Sequence, residues 1–283
     1  MSKLKAHINN IALHHMVFAL PFAYMGAFLA AREIPSSHDL FWITITMLGA
    51  RSAAMALDNL IDLKYDKVHS RLKKRPMVTG EVKPWEAKLL IAVSMLVFVF
   101  AVLQLQPICI KLLPVAALPF IVYPYMKRVT SYCHFVLGLA LSMAPAGGWV
   151  AVRGDIGLPV VFLCLAVGLW IGAFDAVYGC QDEEFDKLHG LHSLATKYTA
   201  DRALKITRGL HFISICCFVV VGLLMQLGWL YYVGVMIAIL TLIYQHSIVS
   251  ATDFSRVTQV YFMRNGIVSV VIFVFTGISL YAA

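Results

Sequence analysis

The sequence predicts an all-α integral membrane protein whose nine transmembrane helices form a single bundle. Three observations lead there. Of the 283 residues, 60% are hydrophobic and 13% charged, against about 45–50% and about 25% in an average soluble domain. Apolar stretches of roughly 20 residues recur along the chain, the length that crosses a hydrocarbon core as a helix. The basic residues sit in the gaps between those stretches, mostly on one side of the implied membrane. The net charge of +8 therefore reports orientation and does not mark a nucleic-acid partner.

The spans are expected near 11–31, 39–61, 86–106, 108–126, 132–151, 158–180, 206–227, 229–250 and 262–282. The first, from Ile11 to Ala31, is too long for the core of a secretory signal and right for a membrane crossing. Connections at Gln106–Pro107 and Leu227–Gly228 are short enough to be tight turns between antiparallel neighbours. The split between the third and fourth spans is the least regular, because Pro114, Pro119 and Pro124 interrupt the fourth. The whole chain, 1–283, reads as one transmembrane domain.

Nineteen of the Lys and Arg residues fall on the N-terminal side: Lys3, Lys5, eight from Lys64 to Lys88, Lys127, Arg128, five from Lys187 to Arg208, Arg256 and Arg264. The other side holds Arg32, Lys111 and Arg153, while Arg51 falls inside a span. This bias places the N-terminus and both long polar loops in the cytoplasm, the C-terminus outside, and the chain in the cell inner (cytoplasmic) membrane as a multi-pass protein. The six cysteines show no Cys-x-x-Cys spacing and read as packing residues.

Eight of the 15 carboxylates lie in two short windows: Asp58, Asp62 and Asp66, then Asp175, Asp182, Glu183, Glu184 and Asp186. Steps of four rotate a helix by only about 40°, so Asp58, Asp62 and Asp66 line one face of a helix leaving the membrane. Asp175, Asp182 and Asp186 repeat that pattern with steps of seven and four. Like charges on one face destabilise a helix unless a cation joins them, and acids at span ends are costly unless used. Glu183 and Glu184 read as solvated loop acids.

The two windows also resemble each other. D-L-K-Y-D-K-V-H-S from Asp62 matches D-E-E-F-D-K-L-H-G from Asp182 at a constant offset of 120 residues. A duplicated four-helix unit explains this, with repeat-like halves of about 11–126 and 132–250 and a ninth helix at about 262–282. Two copies in the same orientation bring both clusters to one mouth of the bundle.

Carboxylates without His or Cys ligands at suitable spacing favour a hard cation. Mg²⁺ prefers one or two carboxylates plus substrate phosphates, so two facing clusters are expected to clamp a diphosphate through Mg²⁺. Asp58, Asp62, Asp66, Asp182 and Asp186 are the candidate metal ligands. Cations for the diphosphate are available nearby in Lys67, Arg71, Lys73, Lys74 and Arg75, and in Lys127 and Arg128 of Y-P-Y-M-K-R. A diphosphate at the mouth of an apolar bundle implies an amphiphilic donor such as a polyprenyl diphosphate, its tail in the lipid bilayer. Ionising the allylic C–O bond needs a site without free water and with aromatic faces nearby; Tyr178 and Trp170, near the second cluster, are the candidate rings. His14, His15, His134, His211 and His246 are expected in packing roles, whereas His69 and His189 are solvated loop residues within reach of a diphosphate.

At these residues the chain resembles the UbiA superfamily of intramembrane aromatic prenyltransferases, which carry N-x-x-x-D-x-x-x-D and D-x-x-x-D in their two polar loops. The second motif is intact in D-A-V-Y-G-C-Q-D-E-E-F-D, while the first has Asp58 at the usual asparagine position and Asn59 beside it. R-P-M-V-T-G and Y-P-Y-M-K-R add to the likeness, and R-S-A-A-M-A and G-L-H-S are most similar to the 4-hydroxybenzoate polyprenyltransferase branch. That branch includes closely similar enzymes acting on dihydroxynaphthoates. The resemblance implies transfer of a polyprenyl group to the ring carbon ortho to a phenol, in ubiquinone or menaquinone biosynthesis. It also implies a small aromatic carboxylic acid as acceptor. Arg51, the one basic residue inside a span, would then pair with the acceptor carboxylate as a catalytic and acceptor-binding residue; an internal ion pair to Asp58 or Asp175 is the alternative. Asp175 is the candidate to orient the phenol or act as a base, with Tyr178 beside the acceptor.

Three other classes fit less well. An ion-coupled transporter would place its acids at the midplane. A CDP-alcohol transferase carries D-G-x-x-A-R, where this chain reads A-L-D-N-L-I. A membrane scaffold would have no use for two repeated acid clusters.

Overall fold

Chain segments too apolar to stay in water and too long to hide in a soluble core resolve into a helical bundle. The computed structural model describes residues 2–257 and 262–281. Among the described residues, nine helical stretches are long and apolar enough to cross a membrane. The chain is a multi-pass membrane protein.

The first crossing is not one helix. Helix α1 (Lys3–Asn10) stops where Ala12 takes a left-handed conformation, φ 46°, and a short 3₁₀ turn leads into α2 (Met16–Ala31). That conformation costs a non-glycine residue roughly 1–2 kcal/mol. The Asn59 side chain holds the end of α1 in place by donating to the Asn10 carbonyl at 2.6 Å. The remaining elements are α3 (Ser37–Asp66), α4 (Pro84–Val102), α5 (Pro107–Met126), α6 (Cys133–Arg153) and α7 (Leu158–Gly179). They are followed by α8 (Glu183–Leu188), α9 (Leu194–Tyr198), α10 (Ala200–Met225), α11 (Trp229–Ser247) and α12 (Phe262–Tyr281). Position 282, the expected end of the ninth span, lies outside the described residues.

Both expected tight turns are present, between α4 and α5 and between α10 and α11. Pro114, Pro119 and Pro124 sit inside α5 without ending it, as membrane helices allow where neighbours compensate the lost backbone bonds. Two spans overrun the expected limits. Helix α3 continues from 61 to Asp66, and α10 begins at Ala200 instead of 206. At 1.5 Å per residue α3 is about 45 Å long, so it projects beyond a ~30 Å hydrocarbon core.

Helices α2, α6, α7 and α10 form the packed centre. Backbones there touch: a Cβ on Gly138 would collide with the Gly168 carbonyl, and one on Gly148 with the Ala23 carbonyl. Small residues at such crossings let membrane helices approach closely. The faces turned outward are apolar. On α4, Leu89, Val93, Leu96 and Phe100 are all about half exposed or more, at the helical spacing of a lipid-facing stripe. Trp170 is buried among Phe22, Phe218 and Leu163 and lies 5.4 Å from the Phe22 ring, so it fills the core and does not line a polar cavity.

Candidate active site

Helix α3 delivers Asp58, Asp62 and Asp66 on successive turns to one end of the bundle. The second cluster is built differently from the regular helix its spacing suggested. Helix α7 carries Asp175, a 3₁₀ turn over Cys180–Asp182 tightens the chain, and Asp186 then sits on α8. Both clusters open into one cavity of about 190 Å³, lined by Asp58, Asp62, Asp66, Asp175, Asp182 and Asp186 with Arg71, Arg75, Lys127 and Arg128. Tyr65, His69, Tyr123, His134, Tyr178 and Phe185 complete its wall.

Four of these aspartates are each matched to one cation. Arg128 reaches Asp62 at 2.7 Å and Arg75 reaches Asp66 at 2.6 Å. Arg71 grips both oxygens of Asp182 at 2.8 and 2.6 Å, and Lys127 lies 3.3 Å from Asp186. Arg71, from the loop after α3, and Arg128, from the α5–α6 connection, cross to their partners and so tie separate elements together. Arg71 also donates to the Tyr178 hydroxyl, its guanidinium 4.8 Å from that ring's centroid. Asn59 receives a second hydrogen bond from Arg75 at 3.1 Å, which ties the α1–α3 contact to the cavity.

Burial alone would lower the basicity of Arg71, Arg75 and Lys127, but the facing carboxylates more than offset it. Asp182 holds Arg71 above the ordinary arginine value, and Asp66 does the same for Arg75. Asp186, then Asp182, hold the Lys127 ammonium above the ordinary lysine value. Such cations lose their charge only above the usual lysine and arginine ranges, so the set is fully charged at neutral pH.

Several side chains lie elsewhere than the sequence predicts. Lys67, Lys73 and Lys74 are exposed and absent from the cavity wall; Lys67 follows Asp66 by one residue, a rotation of about 100° that turns it away from the acidic face. His69 is buried with Nε2 3.1 Å from Asp182 Oδ1, although the ring is not aligned for a hydrogen bond. His189 stacks on Phe185 and contacts its carbonyl. Arg51 makes no ion pair among the described residues, so the internal pairing to Asp58 or Asp175 is absent. Asp58 lines the cavity without an ion pair among the described residues. His134, expected to pack inertly, contacts Asp175 at 2.7 Å. Two contributions do not follow from the sequence expectations: the bonds that Asn59 makes to Asn10 and Arg75, and Tyr123 in the wall, one helical turn before Lys127, a spacing that marks it.

Among the described residues no three His, Cys, Asp or Glu side chains converge into a protein-only metal cage. Mg²⁺ does not require one, since it uses one or two carboxylates together with water and phosphate oxygens. Six carboxylates against four cations leave an excess of two formal negative charges, which one divalent cation balances. The donor set fits a hard, oxygen-bound metal.

A second cavity of about 550 Å³ follows α3 into the bundle, lined by Ala19, Ala23, Ile43, Met47, Phe98, Leu112, Phe120, Leu141 and Gly168 among others. Its one charged lining residue among the described residues is Arg51, seven residues or about 10 Å along α3 from Asp58. Arg51 Nε and Thr46 Oγ1 are buried there without a hydrogen-bond partner among the described residues. Val115, Leu139, Ile156 and Leu165 on its outer side are about half exposed or more, so this cavity opens toward lipid.

The sequence model of the UbiA prenyltransferase family matches residues 19–267. The chain belongs to that family. It is 34% identical over 225 residues to the 4-hydroxybenzoate octaprenyltransferase of Marinobacter nauticus, covering 79% of this chain and 76% of that protein. The enzyme of the same name from Providencia stuartii is 30% identical over 252 residues, covering 89% and 86%. Among solved structures, an apo UbiA homologue from Aeropyrum pernix superposes with a TM-score of 0.82 at 28% identity, covering 95% of this chain and 98% of that one. A UbiA homologue from Archaeoglobus fulgidus bound to GPP and Mg²⁺ shares the fold, with a TM-score of 0.75 at 19% identity over 98% and 100% of the two chains.

Proposed function

We propose that this UbiA family member is a Mg²⁺-dependent membrane prenyltransferase. It moves a polyprenyl group from a polyprenyl diphosphate to an aromatic acid such as 4-hydroxybenzoate, releasing diphosphate, in ubiquinone or menaquinone biosynthesis. The observation that carries it is one cavity shared by two acid clusters, joined along α3 to a lipid-open cavity with a buried guanidinium. The names of the relatives support the aromatic acceptor, and the Archaeoglobus homologue with GPP and Mg²⁺ supports the donor and the metal. By the Lys and Arg bias of the loops, the acidic end faces the cytoplasm of a cell whose inner membrane holds the protein.

In this reading Asp62, Asp66, Asp182 and Asp186 hold the metal, with Asp58 able to join them. Bound Mg²⁺ supplies Lewis-acid neutralisation of the leaving diphosphate. Arg71, Arg75, Lys127 and Arg128 are now paired with those same aspartates; they turn from carboxylate to phosphate as the donor binds. A guanidinium fork suits phosphate oxygens as well as carboxylate ones, so the exchange costs few hydrogen bonds. The tail lies in the apolar cavity and leaves it between the exposed side chains on α5, α6 and α7. Arg51 takes the acceptor carboxylate, because its Nε has no partner and an unpaired buried donor is expensive. Asp175 receives the proton that the ring loses, and Tyr178 with Tyr123 walls the reacting end.

Purified protein, Mg²⁺, a polyprenyl diphosphate and a panel of aromatic acids including a dihydroxynaphthoate test this directly. A prenylated aromatic acid, identified by mass, is the expected product. Absence of any such product across the panel would overturn the reading.

A further inference from the structure

One aspartate of the polar cavity is held unlike its neighbours. Asp62, Asp66, Asp182 and Asp186 each face an Arg or Lys, whereas Asp175 is bonded by His134, with Nδ1 2.7 Å from Oδ2. The His134 side chain is almost wholly inaccessible while Asp175 is about a quarter exposed to the cavity. On its other side His134 Nε2 faces the backbone N–H of Leu194 at 3.5 Å, one of the donors that the first turn of α9 leaves unmatched. His134 thus bridges Asp175 on α7 and the start of α9.

The surroundings fix this ring. His134 starts the helix that crosses α7 at Gly138 and Gly168, and its imidazole lies against the bare Cα of Gly179, one turn beyond Asp175. A side chain at Gly179 would press on the imidazole. The remaining carboxylate oxygen, Oδ1, has no hydrogen-bond partner among the described residues. A carboxylate held by a ring packed into the helix crossing, and not by a mobile Arg or Lys side chain, keeps its partner when a diphosphate binds. That separates Asp175 from the four ion-paired aspartates.

We infer that His134 is a positioning residue: it fixes Asp175 so that its free oxygen takes the proton from the acceptor ring. The inference rests on the transferase reading above. In the step concerned, the allylic C–O bond breaks and the diphosphate leaves with the electron pair. A C–C bond forms from the prenyl carbon to the ring, and the ring carbon's proton passes to Asp175, then to water at the cavity mouth. The group oriented by His134 acts only after C–C bond formation, so donor binding is independent of it.

The test compares wild type, His134→Leu and His134→Asn, using 4-hydroxybenzoate and its ring-deuterated form. The asparagine amide puts a donor near the Nδ1 position; leucine does not. In His134→Leu, kcat is expected to fall about tenfold or more, donor KM to stay within about twofold, and a ring-deuterium isotope effect absent from wild type to emerge. His134→Asn recovers most of the rate and suppresses the isotope effect. Should His134→Leu fail to fold, His134→Gln, with its amide at the Nε2 end, replaces it under the same expectations. A variant lacking the donor that keeps the wild-type rate, or slows without an isotope effect, overturns the inference, as does His134→Asn behaving like His134→Leu. Wild-type protein that forms no prenylated acid would instead overturn the transferase reading, before any variant is compared.

Discussion

The two cavities strung along α3 handle charge in opposite ways. At the end of the helix, six carboxylates and four cations crowd about 190 Å³. Deeper in the bundle, about 550 Å³ carries one guanidinium, the hydroxyls of Thr46 and Ser142, and otherwise mostly apolar side chains. In the first, each fixed cation already has an aspartate to neutralise it and two carboxylates are left over, so both a metal and an anion are needed for the partners to change. In the second, Arg51 Nε has no hydrogen-bond partner among the described residues, so one small anion of the right shape has a large effect. Exchange governs the outer cavity and simple pairing the inner one.

Substitutions can break that comparison at either end. The largest effect is expected for Asp62→Asn and Asp182→Asn, each cutting diphosphate release on the order of a hundredfold or more in a continuous diphosphate assay. Next, Arg51→Ala should raise the acceptor KM about tenfold to a hundredfold, the loss of a charge-assisted pair, and leave the donor KM unchanged; a rise in both would merge the two cavities into one function. Arg128→Ala is expected to raise the donor KM about tenfold with little effect on the acceptor. The smallest effect belongs to Lys67→Ala, which should leave both constants within about twofold because that side chain is exposed outside the cavity. Steady-state kinetics with each substrate varied in turn distinguish all four.

These two regions also differ in how plainly the chain announces them. The outer cavity was legible because a repeat of four residues keeps Asp58, Asp62 and Asp66 on one helical face. Arg51 was legible because it stands alone inside a span. The pairing of cations was not, since Lys67 and Arg71 look alike in a basic loop and only the fold turns Arg71 inward to Asp182. His134 carried no local signal; its partner is 41 positions away and the crossing that joins them depends on glycines. The inner cavity was invisible for a different reason. It is drawn by ordinary apolar residues from six helices, and a space left between side chains has no motif. Span ends moved for a related cause: α3 continues past the apolar stretch to the Asp66–Arg75 pair, and α10 starts early where Glu183 accepts from the Ala200 N–H.

Linked binding is the most direct test of the shared site. Inorganic diphosphate titrated calorimetrically into the detergent-solubilised protein should bind at least about tenfold more tightly with Mg²⁺ than without it. That linkage should vanish both in Asp62→Asn and in Asp182→Asn. Linkage surviving intact in either variant would show that one cluster binds metal and diphosphate unaided, and would contradict a clamp formed by the two together.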